Sequence, residues 1–246
     1  MNLLNKIALV TGASSGIGRA IAIALANSGC KVIVTGRNKD RLQQVVEKIG
    51  SNQALAVVLE MTDDQAIQAL PAQLPKTFSK PSILINNAAE DIGGRTRFDM
   101  STADEISRVI EINLIGTIRI VRAFVPAMIE KSEGDIITIG STNALRPTLN
   151  MAAYTASKSG LHGLTDVLRA DYAKSGIRVM EIIPGLTKTS FATTRMRGNE
   201  TKANEFFNQF PSHLEPEEVA EAALFALSRP RHINVQQLTI TPSFQW

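Results

Sequence analysis

The sequence predicts an α/β domain built on a doubly wound, seven-stranded parallel sheet with helices on both faces. Short apolar runs alternate with longer segments of helical spacing along the whole chain. The runs are apolar almost without interruption, as expected of strands buried on both faces. A length of 246 residues suits one such unit with a large core. Crossovers between parallel strands are nearly always right-handed, which winds the helices onto both sides of the sheet.

The elements follow in order. Lys6 to Val10 (KIALV) is the first strand and ends in Thr11-Gly12. Ile17 to Ser28 has helical spacing, and Gly29 stops it. Lys31 to Thr35 (KVIVT) is the second strand, followed by a helix from about Asp40 to Ile49. Leu55 to Leu59 is the third strand and Ile83 to Ile85 the fourth. A long helical region runs from about Thr102 to Glu130, then Asp135 to Ile139 forms the fifth strand. Helix resumes from about Ala152 to Lys174, Arg178 to Ile183 is the sixth strand, and Leu238 to Ile240 the seventh. The least regular segment, about Leu186 to Leu214, is polar and lies between the last two strands. It reads as a substrate flap on a single domain spanning 1–246, because long irregular segments of this kind often form lids or binding loops.

Composition narrows the classes. Hydrophobic residues make up 44% and charged residues 20%, too apolar and too balanced for a disordered chain. The net charge of +3 comes with no basic stripe, so no nucleic-acid partner is expected. The lone cysteine, Cys30, excludes an internal disulfide and reads as a small buried residue. His162, His213 and His232 lack the spacing of metal ligands, so no metal site is expected. Met1 to Lys6 lacks the apolar core of a signal peptide, and no apolar stretch reads as long enough to span a bilayer. A cytoplasmic protein without a membrane partner is the expectation.

The first strand runs into Thr11-Gly12-Ala13-Ser14-Ser15-Gly16-Ile17-Gly18 and then a helix. Gly12 supplies the tight turn, Gly16 lets the backbone approach a pyrophosphate, and Gly18 lets helix and strand pack closely. The helix N-terminus offers its free N–H groups to the phosphates. At the end of the second strand, an acid would bond the ribose 2′-hydroxyl of NAD. Here the residues are Gly36-Arg37-Asn38. Arg37 can pair with a 2′-phosphate, which favours NADP(H) over NAD(H).

Tyr154 and Lys158 are four residues apart on a helical segment and share one face. An ammonium beside a phenol lowers its pKa, so Tyr154 can exchange a proton with a carbonyl or alcohol oxygen. Ser141 follows the fifth strand, at the carboxyl edge where ligands bind, and can hold the substrate oxygen. Asn113 is a polar residue in an apolar helical stretch and must find partners if buried.

These motifs resemble the short-chain dehydrogenase/reductase family over nearly the whole chain. The match takes in the Thr11–Gly18 turn, Asn86-Asn87-Ala88-Ala89 after the fourth strand, and Pro184 to Thr189 after the sixth. The resemblance implies one Rossmann domain with strand order 3-2-1-4-5-6-7. It implies a catalytic tetrad of Asn113, Ser141, Tyr154 and Lys158, of which Asn113, Tyr154 and Lys158 also face the cofactor. It places Ser14, Ser15, Ile17, Asn87 and Ala88 along the cofactor, and Pro184, Gly185, Thr187 and Thr189 beside the nicotinamide. Two departures stand out. Glu60-Met61 replaces the family's aspartate near adenine, and Ala89 replaces a glycine. The segment after Pro184 is similar to the NADP-dependent subgroup acting on 3-hydroxy acids, including serine-type substrates. A carboxylate would then be held by one of Arg146, Lys188, Arg195 or Arg197, with Arg146 and Arg195 the first candidates. The family implies a homotetramer, with a dimer second, and Trp246 is a candidate for a subunit contact. Carbonyl or 3-oxoacyl reduction of a bulkier substrate, or NADPH binding without catalysis, are the competing readings.

Overall fold

The computed structural model describes residues 3–93 and 95–245, so Trp246 lies outside the described residues. Seven strands form one sheet: β1 (Ile7–Val10), β2 (Lys31–Gly36), β3 (Ala54–Val58), β4 (Ile83–Asn86), β5 (Gly134–Ile139), β6 (Ile177–Pro184) and β7 (Gln237–Ile240). Their order is β3-β2-β1-β4-β5-β6-β7 and all neighbours are parallel, as expected. Each strand presents alternate residues to opposite faces. Ala8, Val10, Ile83, Ile85, Ile137 and Ile139 pack into one core; Leu9, Leu84 and Ile136 pack into the other.

Helices α1 (Gly16–Asn27) and α2 (Lys39–Ile49) cover the first face through Ile21, Leu25, Leu42 and Val45. The second face is covered by α3 (Asp64–Gln73) and by the run α4 (Ala103–Ile110) and α5 (Gly116–Lys131). Between α4 and α5 the chain makes a π-helical turn, Glu111–Ile115. That run was expected as one regular helix; the wider turn interrupts it at Asn113, and such turns recur at functional sites. One short helix and one long one beyond β5 complete that side: α6 (Thr142–Leu145) leads to α7 (Ala152–Asp171).

Between β6 and β7 lie α8 (Phe191–Arg195), α9 (Glu200–Asn208) and α10 (Pro216–Ser228). The segment expected to be irregular therefore contains two helices, closed by their own cluster of Ala192, Ala203, Phe206 and Phe207. Helix α10 returns to the first face and buries Val219, Ala223 and Leu227. Helices α3 and α10 escape the sequence reading. Pro71 sits inside α3 and interrupts its pattern, yet Asp63 caps its start by accepting from the Ala66 N–H at 2.9 Å. The run Ala103–Lys131 is 29 residues long and holds an 18-residue stretch of mean hydropathy 1.5, long and apolar enough to cross a membrane by length and composition alone. Half of its most apolar window is buried inside this domain, where Ile112, Ile120 and Phe124 fill the second core.

Parallel strands bring all carboxyl ends to one edge. The chain leaves β1 in one direction along the sheet and β4 in the other, so the loops between them diverge and leave a crevice.

Candidate active site

A cleft of about 850 Å³ follows this edge. Gly12, Ser14, Ser15, Gly16 and Ile17 form one end of its wall. Gly12 and Gly16 adopt φ of +65° and +52°, the left-handed region in which glycine is unstrained. A Cβ on Gly12 would lie 2.8 Å from Ala88 Cα. Gly18 lies behind the wall, where a Cβ would overlap the Asn87 amide and the Gly12 carbonyl. Asn87 Nδ2 donates to the Thr11 carbonyl at 2.9 Å and to the Gly12 carbonyl at 3.2 Å. Thr11 Oγ1 accepts from the N–H groups of Asn87 and Ala88, both at 3.0 Å. These bonds lock the loop after β4 onto the turn. Ser15 precedes α1 and makes no side-chain cap, so the helix N-terminus keeps donors for an anion. A cradle of this shape and chemistry fits a dinucleotide pyrophosphate.

Further along, Arg37, Glu60, Met61, Asn87, Ala88 and Ala89 line the cleft. Arg37 is half-exposed, with Nη2 3.3 Å from Glu90 Oε1 and Nε 4.0 Å from Glu60 Oε2. Glu90 is nearly buried and also pairs with Arg108 at 2.9 Å. Arg41 shares this wall and escaped the sequence reading. Its signal was the cap at the start of α2, where Asn38 accepts from the Arg41 N–H at 2.9 Å and places Arg41 in the first turn.

At the centre, Ser141, Tyr154 and Lys158 meet between the ends of β5 and β6. The Ser141 hydroxyl stands beside the Tyr154 phenol and favours its ionised form. Lys158 Nζ donates to the Ile139 carbonyl at 2.8 Å and lies 5.9 Å from the Tyr154 ring centre. Burial raises the phenol above its ordinary value. Arg195 and the Ser141 hydroxyl oppose that rise, while Asp91 adds to it. Arg195 thus joins Lys158 as a cation beside the phenol. Burial pushes the Lys158 ammonium down to about 8, opposed by the Glu181 carboxylate.

Asn113 is wholly buried and does not reach the cleft wall. Its Oδ1 accepts from the Glu90 N–H at 2.7 Å, while Nδ2 donates to the Glu90 carbonyl at 2.9 Å and to Ser157 Oγ at 3.0 Å. The π-helical turn thus clamps the loop after β4 to α7, fixing Tyr154 against the opposite strand ends.

Pro184, Gly185, Thr187 and Thr189 form the wall after β6. Thr189 packs on Gly16, where an added Cβ would lie 3.1 Å away. The far end is built by α8, α9 and the C-terminal segment, with Phe191, Phe206, Phe207, Phe210 and Phe244 on the wall. Gln245 holds that segment: Oε1 accepts from the Leu186 N–H at 2.8 Å and Nε2 donates to Thr142 Oγ1 at 3.4 Å. Arg195 lies over the Tyr154 and Phe191 rings at 5.7 and 5.4 Å, and its Nε donates to Asp91 Oδ2 at 2.6 Å. Arg95 lies over the Phe206 ring at 5.2 Å and makes no ion pair with any described residue. Arg146 is exposed at the end of α6, off the cleft wall; Lys188 and Arg197 are also off it. Nothing in the sequence pattern marks Asp91 or Arg95, because their partners lie on α8 and α9, far along the chain. Among the described residues, no cluster of His, Cys, Asp or Glu could hold a metal.

The family model of short chain dehydrogenases matches residues 6–200. An uncharacterized oxidoreductase of Staphylococcus aureus (strain MRSA252) is 35% identical, with 98% of each chain covered. The closed form of a serine dehydrogenase complexed with NADP+ superposes with a TM-score of 0.94 at 33% identity, covering 98% of this chain and 96% of that one. A serine dehydrogenase from Escherichia coli superposes with a TM-score of 0.84 at 30% identity, covering 98% and 99%.

Proposed function

The chain belongs to the short-chain dehydrogenase family, and from that premise we propose an NADP-dependent oxidoreductase acting on a small 3-hydroxy acid or its oxo partner. The observation carrying this reading is one cleft that joins a pyrophosphate cradle, the Ser141–Tyr154–Lys158 group and two guanidiniums at its far end. The serine dehydrogenase with NADP+ supports both the cofactor and the substrate class. Arg37 and Arg41 favour a 2′-phosphate at the other end.

When bound, the nicotinamide supplies or accepts the hydride. Ser141 holds the substrate oxygen by its hydroxyl. Tyr154 gives a proton to that oxygen during reduction or takes it during oxidation. Lys158, behind the phenol, provides positive charge that favours the phenolate. Asn113 positions the loop that carries Glu90. The substrate carboxylate goes to Arg95, because Arg195 is already neutralised by Asp91. The segment 186–214 acts as the substrate flap of a single domain. Exposed Ile118 and Val167 on the outer helices support a homotetramer, with a dimer second, and a cytoplasmic setting is retained for it.

The aromatic wall from Phe191 to Phe244 favours one competing reading, reduction of a bulkier carbonyl compound. The test is NADP+ reduction with serine, 3-hydroxybutyrate and neutral alcohols of equal size, beside NADPH oxidation with bulky ketones. We expect the acids to exceed the matched neutral alcohols by about tenfold or more in kcat/KM, the gain of one charge-assisted bond. Equal use of acids and neutral alcohols, or preference for bulky ketones, overturns the substrate class.

A further inference from the structure

A buried carboxylate stands behind the Tyr154–Lys158 pair. Glu181 lies in the middle of β6 and its side chain is wholly buried. An isolated carboxylate in such a place is unfavourable unless other charges or donors face it. One oxygen, Oε2, lies 2.7 Å from His162 Nδ1. The other, Oε1, has no hydrogen-bond partner among the described residues. It presses on Gly140, where any Cβ would overlap it. Gly140 follows Ile139, whose carbonyl accepts from Lys158 Nζ at 2.8 Å. His162 and Lys158 are one helical turn apart on α7 and face the same strands. The carboxylate is therefore wedged between one turn of α7 and the end of β5, directly behind the lysine.

We propose that Glu181, oriented by His162, is a positioning residue that supplies the counter-charge keeping buried Lys158 protonated. The proposal rests on the reading of Tyr154 and Lys158 given above. Burial brings the Lys158 ammonium down to about 8, and Glu181 is the carboxylate that pulls it back up. The other charges nearby are engaged elsewhere. On α7, Asp166 lies 4.0 Å from His162 Nε2 and pairs with Arg169 at 2.5 Å. From α8 and the loop after β4, Arg195 and Asp91 pair with each other beside Tyr154. Among the described residues, Glu181 is the carboxylate that acts on Lys158. A lysine titrating near 8 is charged below that pH. Loss of Glu181 lowers the value further, so the charged fraction falls first at mildly alkaline pH and last at acidic pH.

The experiment is kcat/KM against pH, from about 5.5 to about 9.5, for the wild type and for Glu181→Gln, Glu181→Asp, His162→Gln and Lys158→Met. Glu181→Gln keeps the shape and removes the charge. We expect its alkaline limb to move down by about one pH unit, giving roughly a fivefold loss near pH 8, roughly tenfold near pH 9 and under about threefold near pH 6. Glu181→Asp should restore most of the profile, and His162→Gln should shift it less, in the same direction. A profile of unchanged shape in Glu181→Gln, whether fully active or uniformly slow, overturns the proposal; uniform slowing means packing alone. If Glu181→Gln does not fold by thermal melting, unchanged limbs in both Glu181→Asp and His162→Gln overturn it. Full turnover in Lys158→Met instead overturns the underlying reading of the Tyr154–Lys158 pair, a separate outcome.

Discussion

The two ends of the cleft are made of different materials. The turn end is backbone: glycines in the left-handed region, a bare helix N-terminus, and amides fixed by Thr11 and Asn87. The far end is side chains: stacked and tilted phenylalanines, a salt bridge, and one glutamine holding the chain terminus. A backbone cradle has no rotamers to rearrange and accepts one ligand shape. A side-chain wall can be rebuilt one residue at a time. The division suits an enzyme family that keeps its cofactor and varies its substrate.

The sharpest way to break the contrast is at Gly18. A methyl there meets the Asn87 amide and the Gly12 carbonyl, both already bonded and unable to retreat. Overpacking of this kind costs about 1–3 kcal/mol. At this position the strain falls on the cradle itself. Gly18→Ala should weaken NADPH binding by about a hundredfold or more, the equivalent of about 3 kcal/mol. Fluorescence titration with NADPH measures this, and a thermal melt separates local from global damage. Near-native binding would mean that the cradle is as pliable as the far wall.

The same contrast explains what the sequence reveals. The turn end is written in consecutive residues, Thr11 to Gly18, and in the four residues Asn86 to Ala89 at the end of β4, so spacing alone exposes it. Ser141, Tyr154 and Lys158 are legible because each follows a strand end or sits at helical spacing. The far end is assembled from pairs such as Arg195 with Asp91 and Gln245 with Thr142, each more than 100 residues apart in the chain. No local pattern carries such a contact. Hence Arg195 was singled out together with Arg146, although only Arg195 reaches the cleft. Hence also the roles of Asp91, Arg95 and Glu181 emerge only from the fold. The phenylalanine-rich stretch of α9 reads as a polar loop in the sequence, because two short helices packed on each other need no long apolar stripe.

A second prediction probes the side-chain end. Arg195→Ala strands Asp91, whose carboxyl is already raised by burial and held down by Arg195. Breaking a fully buried pair costs about 3–5 kcal/mol; this one borders the cleft, so about 2 kcal/mol is expected. Asp91→Asn should recover much of that loss in the double variant, because the stranded charge is then gone. Turnover in Arg195→Ala should fall more than in Arg146→Ala, which sits off the wall and should stay within about twofold of wild type, the ordinary range for surface changes. Melting temperatures of the two single variants and the double variant, with KM for an acid substrate, check this. Equal effects of Arg195 and Arg146 would erase the difference between the two positions.

The smallest expected effect lies at Arg37, where the backbone cradle gives way to side chains. A free guanidinium over a 2′-phosphate is worth about 1.5–3 kcal/mol through charge-assisted bonds. Arg37 is not free: Glu90 and Glu60 face it at 3.3 and 4.0 Å. A phosphate must share the guanidinium with two carboxylates, and Arg41 remains on the same wall to compensate. Arg37→Ala should therefore weaken NADP+ by only about tenfold, near the low end of that range, and leave NAD+ within about twofold. Glu60→Gln acts in the opposite sense. It removes one competing charge and should tighten NADP+ by about threefold at low salt, with the gain shrinking as salt screens the half-exposed pair. Titrations of both nucleotides at two ionic strengths decide it. If Glu60→Gln weakens NADP+ instead, the carboxylate supports the adenosine end of the site and does not compete with it.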